Sequence, residues 1–285
     1  MTIWKHSRKD ALLVGVALLE SGVVAACYIA YQRGAFITLV LLAALRIFLA
    51  CTNFQCVAHN FLHLPFFTLP WMNRVFAVWN TLLLGLPQTV YRHHHLNHHK
   101  FNSDYRDIDG KTQDLSSIYR YSRLPESAES FLKYVLLGPL RADIVPLLKT
   151  ARAHNDLGKV ATETLALVTL IAVLVWQAPW FAVQVYLPLW YVSHASAYGE
   201  NYLEHFGAQP GNRKTDSVSC YQHWYNWIWF NNGYHQEHHW RPQIHWTRVP
   251  EVSPELPDAE HRRVVRFSHW FNWPILSERT RVRAR

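Results

Sequence analysis

Four long apolar stretches limit what this chain can fold into. Residues 11–30 form an apolar run broken only by Glu20, long enough to cross the hydrocarbon core of a bilayer. After the turn Tyr31-Gln32-Arg33-Gly34 a second run covers 35–58, with Arg46 inside it. A third covers 160–176 and a fourth 179–197, separated only by Gln177-Ala178. Any one of them alone would read as a buried helix of a water-soluble core. Four of this length, arranged as two tight pairs, read as membrane spans. The expectation is an all-α integral membrane protein of one domain. Its four transmembrane helices would form two hairpins under a cytoplasmic helical cap made of residues 59–159 and 198–285.

The N-terminus tests that reading. Lys5, Arg8 and Lys9 precede an apolar run as in a secretory signal, and Val24-Ala25-Ala26-Cys27 resembles a lipoprotein cleavage site. The run is too long for a signal core and pairs directly with another span, so a retained helix is expected. Residues 66–91 are nearly apolar enough to span, but Pro70, Arg74, Asn80, Gly85 and Pro87 interrupt them. They are expected to lie along the membrane or to re-enter it.

Parity then places both termini and both polar segments on one side. The two opposite turns carry one basic residue, Arg33; Arg46 lies within a span and every other lysine and arginine falls on the first side. The positive-inside rule makes that side cytoplasmic. This placement accounts for the net charge of +8 without a nucleic-acid partner. Half of the residues are hydrophobic, yet the mean hydropathy is only −0.09, as expected of a chain shared between lipid and water. Its 13 Trp and 14 Tyr suit a membrane interface. Compactness and the lack of an endoplasmic-reticulum retrieval signal point to a bacterial inner membrane. Cys27, Cys51, Cys56 and Cys220 form no CxxC and read as reduced packing residues.

The 18 histidines are the chemical anomaly. His59-Asn60-Phe61-Leu62-His63 follows the second span, and its i,i+4 spacing puts both imidazoles on one helical face. In His93-His94-His95-Leu96-Asn97-His98-His99, the HxxHH positions His95, His98 and His99 share a face, with His94 a spare or supporting group. Asn201 and His205 stand at i,i+4 in Asn201-Tyr202-Leu203-Glu204-His205, and His235-Gln236-Glu237-His238-His239 is a second HxxHH. One HxxxH alone is more often interfacial packing than ligation. Clustered neutral imidazoles on one side of a membrane are costly unless paired or metal-bound. Nine imidazoles and an amide oxygen exceed what one metal accepts, so two metals are expected. Glu204 and Glu237 could orient imidazoles from behind, or could be exposed helical carboxylates. His6, His154, His223, His245, His261 and His269 read as surface or cap residues; Asp104, Asp107 and Asp109 read as loop residues. His194, near a span end, could hydrogen-bond there.

HxxxH, HxxHH and HxxHH in this order between hydrophobic hairpins resemble the histidine boxes of the membrane fatty acid desaturase and hydroxylase superfamily, over roughly residues 11–250. Asn201–207, NYLEHFG, is similar to an element of membrane alkane hydroxylases, and the first box lacks the Asp that many desaturases carry after its first His. The resemblance implies a non-haem di-iron site held by His59, His63, His95, His98, His99, His205, His235, His238 and His239, with Asn201 reaching one iron through water. It implies O2 as co-substrate, a membrane lipid or other hydrophobic acyl or hydrocarbon substrate, and electrons from an external donor of the cytochrome b5, ferredoxin or rubredoxin type. No HPGG haem motif or paired CxxC is fused to the chain. Arg262, Arg263, Arg266 and the 279–285 tail could meet anionic headgroups or an acidic donor. Fatty acyl desaturation is the leading expectation; hydroxylation or ketolation of a hydrocarbon, or decarboxylation to a terminal alkene, are the alternatives. A zinc-binding transporter or receptor-like protein is the reading from a different class. It is disfavoured because transporters place ligands near mid-membrane.

Overall fold

A computed structural model describes residues 2–273; the 279–285 tail lies outside them. The protein is mostly helical and forms two compact units. The first comprises the chain to His93 with Asp143–Ala197, the second His94–Ala142 with the chain from Tyr198. In chain order the helices are α1 (Asp10–Gln32), α2 (Phe36–His63), α3 (Pro70–Leu84), α4 (Gln88–Phe101), α5 (Phe131–Leu137), α6 (Ile144–Ala153), α7 (Leu157–Gln177), α8 (Leu187–His205), α9 (His223–Ile228) and α10 (His235–Trp240).

In the first unit α1 buries Leu13, Ala17, Glu20, Val23, Cys27 and Ala30, spaced by three and four residues along one face. Leu12, Leu18, Leu19 and Ile29 point outward, the pattern of a helix whose other face meets lipid. Among the described residues three helices, α1, α2 and α7, are long and apolar enough to cross a membrane. The expected fourth span is not among them. It is helical, as Pro179–Phe181, a π-helical Ala182–Tyr186 and then α8. Gln184, Ser193, His194 and Ser196 dilute its apolar character. As expected, His194 hydrogen-bonds there, its Nδ1 lying 2.9 Å from the Trp190 carbonyl.

α2 does not end where the hydropathy falls. It passes through a π-helical segment, Asn53–Ala58, all of it buried, and resumes α-helical geometry at His59–His63. The segment 66–91 begins in a tether, Lys5 N to the Phe66 carbonyl at 2.8 Å and Thr68 N to the Ile3 carbonyl at 3.0 Å. It continues as α3, started by Pro70 at its first turn and ended by Gly85 at φ 67°. Gly85 is needed twice, because a Cβ there would also meet the Trp190 ring at 2.4 Å.

A buried polar chain stitches these helices together. Arg46 Nη1 pairs with Glu20 Oε1 at 2.7 Å, and its Nη2 donates to the Leu83 carbonyl at 2.6 Å. Asn53 Nδ2 donates to Glu20 Oε2 (2.6 Å) and to Asn80 Oδ1 (2.8 Å), and Asn80 Nδ2 donates to Gln88 Oε1 (3.0 Å). Gln88 is the first residue of α4, the helix that carries the second histidine motif. Glu163 of α7 fixes the same helix start by accepting from Thr89 N and Oγ1, both at 2.8 Å.

The second unit relies on loops and short helices. Ile118, Tyr119, Tyr134, Tyr202 and Leu203 form its apolar core. β1 (Ser219–Cys220) pairs in parallel with β2 (Val264–Val265), Ser219 opposite Val264. Asn272 Nδ2 donates to the Leu203 and Phe206 carbonyls at 2.7 and 2.8 Å, closing the C-terminus of α8. The four cysteines are free and buried.

Candidate metal centre

Residues of the second unit, carried on three helices, bring imidazoles together. α4 supplies His95, His98 and His99, α8 supplies His205, and α10 supplies His235, His238 and His239. His98, His205, His235 and His239 are all buried and offer ring nitrogens within 4.8 Å of one another. His95, His99 and His238 do the same. The groups adjoin through His99 and His239, stacked at 4.3 Å between centroids.

Three outward nitrogens of the first group are already engaged. His98 Nδ1 lies 2.8 Å from Asp114 Oδ2, His205 Nδ1 3.1 Å from the Asp216 carbonyl, and His239 Nδ1 meets Asn102 Oδ1. Donating Nδ1–H outward leaves Nε2 as the lone-pair atom on the inside, the tautomer a metal ligand needs. The Nε2 atoms of His98 and His239 are buried with no hydrogen-bond partner. His235 Nε2 lies 3.3 Å from His205 Nε2, and His238 Nε2 lies 3.1 Å from His99 Nε2. Ring nitrogens facing each other at that distance share a proton or a cation. Adjacent ligands about 2.1 Å from one metal stand about 3 Å apart, so the spacing fits a cation.

Burial holds His205 down to about 3 and His239 well below the ordinary histidine value, so both are neutral and able to ligate. Burial also opposes charge on His98, but the Asp114 carboxylate outweighs it and raises the group. Asp114 is itself held low: burial is overcome by His98 and by hydrogen bonds from Ser116. Burial raises Asp216 to about 6.

The two candidate supporting carboxylates are placed differently. Glu204 Oε1 accepts from Asn232 Nδ2 at 2.7 Å and lies 3.6 Å from His235 Nδ1 and 3.4 Å from His269 Nδ1. Glu237 accepts from Ser219, Tyr221, Ser253 and Arg262, none of them an imidazole. Asn201 Nδ2 donates to Tyr134 Oη at 2.7 Å. His59 and His63 belong to the first unit, on α2, with ring centroids 5.3 Å apart. His93 turns away from the ligand groups, to Asp156 at 3.1 Å. Asp104 and Asp107 bind backbone N–H groups of their own loop.

Asp114, Asn102, Glu200 and His269 escaped the sequence reading. His269, expected as a surface or cap residue, is fully buried. Its Nδ1 lies 3.5 Å from Glu200 Oε1, and Glu200 also accepts from Tyr225 Oη at 2.6 Å. Burial lowers His269, but Glu200 and Glu204 overcome this and lift it to about 9. The rule that ligand histidines give their other N–H to a carboxylate could have prompted a search for Asp114, but nothing in its spacing marks it.

Comparison with known proteins agrees with this architecture. Residues 34–271 match the sequence model of the family described as Fatty acid desaturase. The "Sphingolipid delta(4)-desaturase DES1" of Drosophila melanogaster is 28% identical over 193 residues, 65% of this chain and 55% of that protein. A "Sphingolipid delta(4)-desaturase" of Candida albicans is 27% identical over 262 residues, 84% of this chain and 67% of that protein. The "Sphingolipid delta(4)-desaturase/C4-monooxygenase DES2" of Bos taurus is 29% identical over 198 residues, 66% of this chain and 57% of that protein. The chain thus spans between about half and two thirds of the length of these curated relatives. No solved structure matches. With the match covering most of its length and its histidines gathered as described, the chain belongs to the fatty acid desaturase family.

Proposed function

We propose that the protein is an O2-dependent, di-iron membrane oxidoreductase that attacks unactivated C–H bonds of a lipid chain, with desaturation as the main outcome. The observation that carries this reading is the pair of buried imidazole groups whose inner nitrogens oppose each other at 3.1 and 3.3 Å, in a chain of this family. His98, His205, His235 and His239 would hold one iron. His95, His99 and His238 would hold the other, joined by His59 and His63 from α2, with Asn201 contributing through water. Iron bound there supplies the activation of O2. The residues around it fix the ligands: Asp114, Asn102 and the Asp216 carbonyl set the tautomers of His98, His239 and His205. Glu204, its Oε1 3.6 Å from His235 Nδ1, supports that ring through charge rather than a direct hydrogen bond. Glu237 is assigned a scaffold role, tying β1 to the loop at Ser253.

Hydroxylation stands as the second reading. It is favoured by the NYLEHFG element and by the relative whose printed name carries both a desaturase and a C4-monooxygenase activity. The electrons come from an external one-electron donor of the cytochrome b5, ferredoxin or rubredoxin type. The histidine side is proposed to be cytoplasmic, with 179–197 as a fourth crossing.

Metal analysis of protein purified in mild detergent tests the centre: two irons per chain are expected, and one zinc with no iron would sink the reading. Expression with a matching reductase, followed by mass spectrometry of the host lipids, tests the reaction. A new double bond supports desaturation, and a new hydroxyl selects hydroxylation.

A further inference from the structure

The first unit contains a cavity of about 410 Å³, within the size range of small-molecule sites. It is bounded by α1, α3, α7 and the residues that precede α8, far along α2 from the histidines. Arg46 lies thirteen residues before His59 on one helix, which at 1.5 Å per residue is roughly 20 Å. Most of the wall is apolar, supplied by Val24, Leu82, Leu174 and Phe181. Two wall residues, Tyr28 and Val173, are 37% and 42% exposed on helices whose outer faces are apolar, so the cavity opens sideways towards lipid.

The charged residue in that wall is Arg46, 7% exposed; Ser21 and Gln177 are polar but neutral members of it. A guanidinium carries five N–H donors. The pair with Glu20 and the bond to the Leu83 carbonyl engage two of them, and no other acceptor among the described residues takes the rest. Glu20 already balances the charge, so the site does not call for an anion. It calls for a hydrogen-bond acceptor at membrane depth, because an unmet donor there is costly.

We infer that this cavity is a binding site for a neutral, single-chain amphiphile. Its hydroxyl or carbonyl oxygen accepts from Arg46, and its hydrocarbon chain lies along the apolar wall and leaves through the opening beside Tyr28 and Val173. At roughly 20 Å from His59, the oxygen bound here is not at the place of C–H oxidation. The site therefore goes beyond the proposed activity and is filled whether or not the protein carries metal.

Photo-crosslinking of the full chain in lipid nanodiscs tests it. The probes are a long-chain fatty alcohol bearing a diazirine on its chain and the matching diazirine alkane, which lacks the oxygen. Peptide mapping should find the alcohol on α1 and α7 at least about fivefold more than the alkane, reflecting one hydrogen bond to a charged donor. Excess unlabelled alcohol should compete it away. Ala25→Phe, which fills the cavity from its lipid side, should abolish this labelling, and Arg46→Met should make the two probes equal. Equal labelling by alcohol and alkane in the wild type overturns the inference, as does labelling that survives Ala25→Phe. If Arg46→Met fails to fold, the alcohol-to-alkane ratio and Ala25→Phe decide the question without it. Iron content plays no part in any arm, so failure here is separate from failure of the oxidoreductase reading.

Discussion

The protein buries two polar constellations, and they are built on opposite plans. In the first unit donors meet acceptors: a guanidinium faces a carboxylate and amides run from Glu20 to Gln88. In the second unit like meets like, imidazole nitrogen against imidazole nitrogen. The first plan nearly closes on itself; it leaves over N–H groups of Arg46 and Gln88, which ask for an oxygen, and one acceptor, Asn53 Oδ1. The second closes only through a proton or a cation shared between the rings. A buried cluster of one kind is thus a scaffold with one binding edge, and a cluster of the other kind is a site throughout.

The largest expected effect falls on the second plan. His239→Ala should lower iron from two per chain towards one and abolish product formation, measured by elemental analysis and lipid mass spectrometry. Retention of both irons would show that the four-histidine group is packing. In the first plan, Glu20→Ala leaves Arg46 buried without its counter-charge and should cost about 3–5 kcal/mol. The double variant Glu20→Gln/Arg46→Met should cost far less, as read from thermal unfolding in detergent. If single and double variants are equally destabilised, the pair is not a closed unit.

Asp114→Asn keeps the shape but weakens the acceptor behind His98, and should loosen metal at that group about 10- to 100-fold in a chelator competition. Glu237→Gln should leave that affinity unchanged, since its partners are hydroxyls and a guanidinium. The smallest effect concerns His269 in the metal-free protein. Its value is raised from the ordinary 6.5 to about 9, so its contribution to stability is complete below about pH 6.5 and is lost as pH rises through about 9. His269→Gln should flatten the melting temperature over pH 7 to 9, and an unchanged slope would remove His269 as its cause.

The parts legible in the sequence share a short, periodic signature. HxxxH and HxxHH show their geometry within one turn of helix, and α1, α2 and α7 show theirs in unbroken hydropathy. The fourth stretch is less legible because its length matches a span while Gln184, Ser193, His194 and Ser196 dilute its apolar character. Asp114 and Asn102 were silent because their partners stand 16 and 137 residues away, brought close only by the loops of the second unit. His269 looked ordinary because burial between two carboxylates has no local pattern.

The π-helical segment Asn53–Ala58, just ahead of His59, adds a wider turn to an otherwise regular helix. One residue of α-helix is about 100° of rotation. Restoring regular α-helical winding over this segment at constant length would swing His59 and His63 by about that angle while leaving the apolar run upstream unchanged. Substitutions that straighten this segment without changing its length would therefore separate the two properties of this helix, yielding a chain that still inserts beside its partners but has lost its contribution to metal chemistry. In that sense the aim of the first histidine motif is written in the helix winding, one step upstream of the histidines themselves.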